Sequence, residues 1–517
     1  MKKRYNKIKT KQSPKTELLI VFSVVFVAEI IGGIYFSYFK GILLNDAFSR
    51  TANAFYVLYI KPIRLASIGL VWNPLPSIMQ LPFMEIAKVW RPMASSGISA
   101  VIITSFFAAM SAVLLLKAFT RFYIPKKYSI LIIFLYVSNP FIFFYGMNGM
   151  SESIFFFIAM YAVTYMTFWM SEGKPEYIIK IAFALTAAFY CRYEAIPFAA
   201  AIGLAVLINI FFNKKEKQFI PADNRKEMYY YAEGTAIVLY APFLYGILLW
   251  IFLNWTITGN PLYFLNSVYS NTAQSQYAIT TSTSSTVFGY VSQKSLPFLP
   301  LFFGIVLIRI VTKKLLQSDF FMLFILVLTM LIFHYVMLLG GNSYGWLRFF
   351  SYSYPICMAW LPYELYKTKS RYKHIAAIVI SLAMIISSVL TGFTLSNPVL
   401  SPEEHEVVVD KQTVEIADYI NDQLPDNKIL MDSFVTSGII LNVKNVNNLV
   451  VCSSLNFNEC VDNPAKHGIE YIVVPDPNGV GTLDAINRKY PYLYSNGADW
   501  CVLEEEFEEY KIFKVKD

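Results

Sequence analysis

Long apolar runs alternate with short polar segments through the first 396 residues of the chain. An α-helix needs about 20 consecutive, mostly apolar residues to cross the hydrocarbon core of a bilayer. Runs of about this length occur at 18–39, 97–118, 128–147, 152–170, 177–194, 196–212, 234–255, 296–312, 318–339, 346–366 and 374–396. The pattern therefore predicts a polytopic, all-α membrane protein with about eleven transmembrane helices.

The tail of the chain, 397–517, follows a different pattern. It begins with an amphipathic run at 413–424, which favours a helix. Short β-like runs follow at 428–431, 448–452 and 470–475. Strands that alternate with helical segments predict a small α/β domain with a partly parallel sheet. The Asp-Pro-Asn-Gly sequence at 476–479 is typical of a turn rather than of a binding site.

Basic residues are concentrated in alternate connecting segments. Lys and Arg are frequent at 1–17, 117–127, 214–226, 309–314 and 367–373. With eleven crossings these segments lie on one side, which the positive-inside rule makes cytoplasmic. We therefore expect a multi-pass cell-membrane protein with a cytoplasmic N-terminus (1–17), an uncleaved first span, a transmembrane part (18–396) that includes a large outer loop (40–96), and an extracytoplasmic C-terminal domain (397–517).

The composition agrees with this class of protein. Of 517 residues, 56% are hydrophobic and only 15% are charged, whereas soluble domains carry about 25% charged residues. The net charge of +8 lies in short tracts beside apolar runs, which indicates contact with membrane lipid and not with nucleic acid. The five cysteines have neither the spacing of a metal site nor that of a disulfide framework. Phosphate-loop and dinucleotide-binding motifs are absent from the sequence.

Charged residues recur where predicted helices reach the outer face. Asp46 and Arg50 follow the first span, Glu152 lies between the third and fourth, and Arg192 and Glu194 lie between the fifth and sixth. An ionisable residue at a membrane boundary is costly unless it is paired or hydrated. We therefore hypothesise that these side chains, from separate helices, line one water-filled cavity.

The outer loop carries a second set of candidate residues. Trp72 and Asn73 precede two prolines that flank Leu75, which indicates a rigid segment at the membrane interface. A cavity at the outer membrane face that contains carboxylates and arginines suits the transfer of a sugar from a lipid-linked phosphate. A carboxylate can accept the proton of the attacking hydroxyl group, and arginine can bind the departing phosphate through two N–H groups.

The residues around these positions resemble the GT-C superfamily of membrane glycosyltransferases, and more closely its protein-mannosyltransferase-like members in bacteria and archaea. The resemblance covers about the first 400 residues. It is carried by NDAFSR (45–50), VWNPLPSIMQLPF (71–83), SNP to MSES (138–153), CRYEAIPF (191–198), TGNPLYF (258–264) and GWLRFF (345–350). It implies a hexosyltransferase that takes its sugar from a polyprenyl phosphate and gives it to an unidentified glycan, lipid or protein acceptor.

The resemblance also implies a role for individual residues. Asp46 matches the acid that serves as the catalytic base, although a small residue usually precedes this acid and a histidine follows it by four positions, where this chain has Asn45 and Arg50. Arg348 matches an arginine expected near the lipid phosphate, and we assign Arg50 and Arg192 to donor-phosphate binding with it. The cavity-lining positions are Glu152, Glu194, Trp72, Asn73 and Tyr193. The resemblance makes no cofactor certain; paired carboxylates suit a divalent cation, but nothing in the sequence demands one.

Other interpretations of the same residues stay open. Asp46 also suits a helix cap, Glu152 a helix start, Glu194 an ion pair with Arg192, and Arg348 an interfacial position. Glu29 and His334 are interpreted as helix–helix contacts. The whole chain also fits a transporter or flippase for a lipid-linked glycan, or a non-catalytic membrane assembly protein. A transporter, however, more often carries its charged residues at the middle of the membrane.

Overall fold

A computed structural model describes residues 12–212, 224–270, 284–405 and 411–516. Most of the basic N-terminal segment, most of the basic segment at 214–226 and part of the polar stretch after Thr256 lie outside these ranges. Within them the chain forms a large helical bundle, a folded first loop and a small C-terminal α/β domain.

Every predicted apolar segment coincides with a helix or with a bent pair of helices. Their bounds are Lys15–Ile34 with the π-helical turn Tyr35–Phe39, Ile98–Arg121, Lys126–Val137 with Pro140–Met147, Glu152–Glu172, Pro175–Cys191, Ala195–Phe212, Arg225–Thr258, Ser284–Ser295 with Pro300–Val311, Ser318–Leu339, Ser353–Lys367 and Lys373–Leu395. The predicted all-α polytopic architecture is therefore confirmed.

The predicted number of spans is not confirmed. In the described part of the chain, 7 helices are long and apolar enough to cross a membrane, or up to 9 if each bent pair is one span. The two pairs bend by 65° and 76° at Pro140 and Pro300, because proline cannot donate the backbone hydrogen bond that would continue the preceding helix. Pro175–Cys191 and Ser353–Lys367 have 17 and 15 residues, fewer than the roughly 20 of a full span.

The first loop is folded and packs onto the bundle. It opens with the helix Asn45–Tyr59, which we call the first-loop helix. Five short helical turns follow: Leu65–Ile68, Leu75–Ile78, Leu81–Met84, Glu85–Lys88 and Pro92–Ser95. The buried Gln80 side chain accepts hydrogen bonds from Thr51 (3.0 Å) and Ser99 (2.8 Å). Gln80 thus joins the first-loop helix to the following long helix.

The C-terminal domain contains a mixed sheet of five strands. In chain order these are β1 (Ile429–Leu430), β2 (Leu449–Val450), β3 (Tyr471–Pro475), β4 (Cys501–Glu506) and β5 (Tyr510–Val515), with the spatial order β2-β1-β3-β5-β4. β1 pairs in parallel with β2 and β3, whereas β5 runs antiparallel to β3 and β4. The predicted partly parallel sheet is confirmed.

Helices and turns complete this domain. The helices are Lys411–Gln423, Ser433–Asn442, Phe457–Asp462, Ala485–Lys489 and Leu493–Asn496. The predicted turn after β3 is present, because Asp476 Oδ1 accepts a hydrogen bond from the backbone N–H of Asn478 at 2.8 Å. All five cysteines are free thiols.

An arginine of the first loop holds the C-terminal domain. Arg91 donates to the carbonyl oxygens of Leu441 and Val443, both at 2.7 Å, where the helix Ser433–Asn442 ends. A cation is favourable there because the last carbonyl groups of a helix carry a partial negative charge. The Arg91 guanidinium also lies 4.5 Å from the ring centroid of Phe55 in the first-loop helix. The C-terminal domain and the first-loop helix are therefore linked through one side chain.

Packing of the first span depends on Gly33. A Cβ atom at this position would lie 2.3 Å from Val101 Cγ1 and 2.6 Å from the Met147 carbonyl oxygen. We expect Gly33→Ala to lower the free energy of unfolding by about 1–3 kcal/mol, the usual cost of overpacking. Thermal unfolding of the detergent-solubilised protein measures the change.

Gly234→Ala is the matched control for Gly33→Ala. Gly234 also lies inside a helix, Arg225–Thr258, but its Cβ would meet nothing within 4 Å. Alanine is expected to raise stability there by about 0.5–1 kcal/mol, because it restricts the unfolded chain. Equal effects of the two substitutions would contradict the close approach at Gly33.

Candidate functional site

Asp46 and Arg50 lie one turn apart on the first-loop helix. The Asp46 side chain is 18% exposed, whereas Arg50 is buried and its guanidinium lies 5.3 Å from the Trp72 ring centroid. Within the described ranges, Arg50 Nε and Nη1 have no hydrogen-bond partner. Residues four apart on a helix share a face. The Asp46 carboxylate and the Arg50 guanidinium, with its two unbonded nitrogens, therefore lie on the same face of the first-loop helix.

Arg348 connects three carboxylates. It lies in the short turn Leu347–Phe350, so the predicted tenth helix starts at Ser353, later than the sequence suggests. Its Nη2 atom is 2.7 Å from Asp46 Oδ2 and 2.9 Å from Glu403 Oε1, and its Nη1 atom is 3.1 Å from Glu152 Oε1. Arg348 therefore joins the first-loop helix, the start of another helix and the segment after the last span.

Arg192 extends the same network. It forms an ion pair with Glu152 and a second one with Glu194, whose Oε1 atom lies 2.6 Å from Arg192 Nη2. Arg192 also donates to Ser151 Oγ at 3.0 Å, and Tyr352 donates to Glu194 Oε1 at 3.1 Å. Glu152 thus bridges Arg192 and Arg348, and the ion pairs form one continuous buried cluster, which we call the ion-pair network.

The network lies at one end of the bundle. Asp46 follows the first predicted apolar segment, Glu152 the third, Arg192 the fifth, Arg348 the ninth and Glu403 the eleventh. Odd-numbered segments of an antiparallel bundle end on the same side. The topology therefore explains why residues separated by up to 302 positions are in contact.

Three other predicted site residues lie outside the ion-pair network. Trp72 lies against Arg50, whose guanidinium is 5.3 Å from the Trp72 ring centroid. Asn73 is buried and donates to the carbonyl oxygen of Phe189. Tyr193 donates to the carbonyl oxygen of Val71 at 3.1 Å. Asn73 and Tyr193 therefore attach the first loop to the bundle and do not join the ion pairs.

Sequence reasoning missed Glu403 and Glu404, which follow the last span. Tyr145 donates to Glu404 Oε1 at 2.7 Å, and Glu403 contacts Arg348. Both glutamates are buried. An adjacent pair of acids just beyond a membrane span was the available signal, since such groups need partners when they are buried.

The charges in the network determine the protonation of Asp46. Burial alone would raise the pKa of Asp46, but the guanidinium groups of Arg348 and Arg50 lower it below its usual value. Asp46 is therefore a carboxylate at neutral pH and is able to accept a proton.

The site does not resemble a metal centre. Among the described residues, no group of three or more His, Cys, Asp or Glu side chains is arranged to hold a metal ion. The carboxylates of Asp46, Glu152, Glu194 and Glu403 instead contact guanidinium groups. These residues do not fit a divalent cation, and we derive no step through one.

A second buried ion network lies at the opposite end of the bundle. Arg309 Nη1 lies 2.8 Å from Asp319 Oδ1, and Arg309 Nε lies 2.9 Å from Glu364 Oε2. Lys367 Nζ is 3.2 Å from Asp319 Oδ2. These contacts join three helices, and we interpret this network as structural.

Comparison with known proteins finds similar solved structures but no similar sequences. No family model and no curated protein sequence matches the chain. Among solved structures, ArnT from Cupriavidus metallidurans bound to undecaprenyl phosphate matches with a TM-score of 0.58 and 10% identity, over 97% of this chain and 98% of ArnT.

Two larger proteins also match. The Archaeoglobus fulgidus oligosaccharyltransferase in its apo form matches with a TM-score of 0.47 and 11% identity, over 89% of this chain and 70% of that protein. The arabinofuranosyltransferase AftD from Mycobacteria gives 0.48 and 11%, over 98% of this chain but 40% of AftD. The similarity to ArnT extends over nearly all of both proteins. The chain therefore has the fold of ArnT, and its 7 to 9 candidate spans in the described residues make it a multi-pass membrane protein.

Proposed function

We propose that this protein transfers a glycosyl unit from a polyprenyl-phosphate-linked donor to an acceptor on the outer face of the cell membrane. The observation that carries the proposal is the arrangement on the first-loop helix, where the Asp46 carboxylate lies one turn from the unbonded N–H groups of Arg50. The fold it shares with ArnT, which was solved with undecaprenyl phosphate, supports the same class of donor.

In this mechanism Asp46 is the general base. The acceptor hydroxyl oxygen attacks the anomeric carbon of the donor sugar while its proton passes to an Asp46 oxygen. The bond between the anomeric carbon and the phosphate oxygen breaks, and its electron pair stays on the phosphate. A single displacement of this kind inverts the anomeric configuration. General base catalysis typically contributes about 10²–10⁴-fold to the rate.

The arginines hold the donor phosphate in this proposal. Arg50 offers Nε and Nη1, which have no partner in the described ranges, and a guanidinium group binds phosphate oxygens through two parallel N–H groups. Arg348 contacts the Asp46 carboxylate directly. A phosphate bound at both arginines would therefore place the anomeric carbon beside the base.

Cell-envelope glycans provide the direct test. We propose a hexosyl donor, as the protein-mannosyltransferase-like residues imply. We expect mass spectrometry of glycans, glycolipids and glycoproteins to show a species that lacks one hexose when the protein is deleted. Expression of the wild-type chain should restore the hexose. An unchanged set of glycoconjugates in the deletion strain would contradict a transferase.

A further inference from the structure

The segment 400–405 is fixed directly against the network. Ser401 Oγ lies 3.0 Å from the Thr394 carbonyl oxygen and 3.3 Å from that of Leu395, at the end of the last long helix. Lys294 donates to the carbonyl oxygen of Leu400. The backbone of this segment is thereby held in place, and its next acidic residue, Glu403, is directed at the candidate site.

Glu403 shares one guanidinium nitrogen with the proposed base. Its Oε1 atom lies 2.9 Å from Arg348 Nη2, and Asp46 Oδ2 lies 2.7 Å from the same atom. Glu403 is only 7% exposed, and its Oε2 atom has no hydrogen-bond partner within the described ranges. A buried polar atom without a partner is costly, so this oxygen is available for a ligand.

The balance of charge indicates that one carboxyl group of the site is neutral. The groups that face Glu403 are Arg348, Glu404, Asp46, Glu152 and Tyr145, with Lys294 near Glu404. Arg192 and Glu194 continue the network, and Arg50 lies beside Asp46. Carboxyl groups outnumber guanidinium groups here, and an anionic donor adds further negative charge. When several carboxylates are buried close together, one of them takes up a proton because their negative charges repel each other.

Glu403 is the group best placed to carry that proton. Burial raises the pKa of Glu403 well above its usual range, Arg348 opposes this, and Glu404 raises it again. Glu404 also has an Oε2 atom without a partner in the described ranges, but its Oε1 atom accepts a hydrogen bond from Tyr145. Glu403, in contrast, lies on Arg348 beside the proposed base. The guanidinium of Arg348 satisfies Glu403 Oε1, which leaves Oε2 to carry the hydrogen.

We propose that Glu403 binds the donor phosphate as a neutral carboxylic acid, with its Oε2–H group donating a hydrogen bond to a phosphate oxygen held by Arg348. This inference rests on the proposed function and adds a binding residue from outside the transmembrane helices. Glu403 keeps its proton throughout the transfer, while the acceptor proton passes to Asp46. The segment that follows the last span thus contributes directly to donor recognition.

Binding of undecaprenyl phosphate to the purified full-length protein tests this role without an acceptor. At about pH 7 and about pH 9 the second phosphate proton is already lost, since its pKa is near 6. Wild-type affinity should fall as the pH rises and Glu403 ionises, by about tenfold once its proton is lost. Glu403→Gln keeps an N–H donor without ionising, and should bind at both pH values within about threefold of the wild type at about pH 7.

Two more variants complete the test. Glu403→Ala should bind about tenfold more weakly at both pH values, because the donor is gone. The exposed Glu504→Gln should show the wild-type affinity and the wild-type fall at high pH.

The outcomes separate the two proposals. Equal weakening of Glu403→Gln and Glu403→Ala at about pH 7 would show that the carboxylate form is the functional one and overturn the inference alone. If Glu403→Ala does not fold, an alkaline fall in Glu403→Gln equal to that of the wild type would overturn it. Absence of binding by the wild type would overturn the proposed function, and this inference with it.

Discussion

Asp46→Asn should abolish most glycosyl transfer while leaving the protein folded. Asparagine cannot accept the hydroxyl proton, so we expect the rate to fall by about 10²–10⁴-fold. Arg348 keeps its contacts with Glu152 and Glu403 in this variant, and the side-chain oxygen of the new asparagine still accepts a hydrogen bond from Arg348. The melting temperature should therefore change little. Restoration of the missing hexose in a deletion strain, measured by mass spectrometry, gives the readout.

Glu85→Gln is the matched control for this substitution. Glu85 lies in the same loop, but its side chain is 51% exposed and its ion pair with Lys88 is a surface contact, which contributes about 0–1 kcal/mol. Transfer should be unaffected. A fully active Asp46→Asn protein would remove the general base from the mechanism and favour a transporter or an assembly protein.

The convergence of the charged residues followed from the sequence because topology alone brings them together. Asp46, Glu152, Arg192 and Arg348 each lie beyond an odd-numbered apolar segment, and the burial cost of a charge requires partners. The alternative interpretation of Glu194, an ion pair with Arg192, is also present in the structure. Hydropathy and charge therefore contained most of the information needed to locate this network.

Side-chain direction was not available from the sequence. Asn73 and Tyr193 are predicted to line the cavity, and the sequence does not show that each donates a hydrogen bond to a backbone carbonyl of a neighbouring segment. Their partners depend on how the first loop packs against the bundle. The same reason explains why the sequence does not predict Glu403. The hydrophobic pattern does not show that the chain turns back to Arg348 after the last span.

Local features explain the remaining differences. Hydropathy averages over Pro140, and so it merged Lys126–Val137 and Pro140–Met147 into one run at 128–147. The run at 296–312 covers Pro300–Val311 but not Ser284–Ser295, which is largely polar. The strand Cys501–Glu506 was missed because five of its six residues are exposed and three are acidic, which hides the alternation expected of a strand. Glu29 and His334 were interpreted as interior contacts, and both are buried. His334 stacks 5.2 Å from the Phe349 ring.

Arg348→Ala should both destabilise the protein and abolish donor binding. Removal of this guanidinium leaves the Asp46 carboxylate without its ion-pair partner and takes one of two partners from Glu152. It also removes the hydrogen-bond donor of the Glu403 carboxyl group. Loss of one member of a buried ion pair typically costs about 3–5 kcal/mol. Arg348→Lys keeps the charge but cannot contact all three carboxylates, so it should fold better than the alanine variant and still bind undecaprenyl phosphate weakly.

Arg309→Ala separates the two effects of Arg348→Ala. Arg309 is equally buried and also contacts two carboxylates, Asp319 and Glu364, but at the opposite end of the bundle. Its removal should lower the melting temperature to a similar degree, because the same kind of buried ion pair is broken. Undecaprenyl phosphate should still bind the folded fraction of Arg309→Ala with wild-type affinity. If both alanine variants lost binding in proportion to their stability, Arg348 would be a structural residue, and the phosphate would have to be held by Arg50 and Arg192.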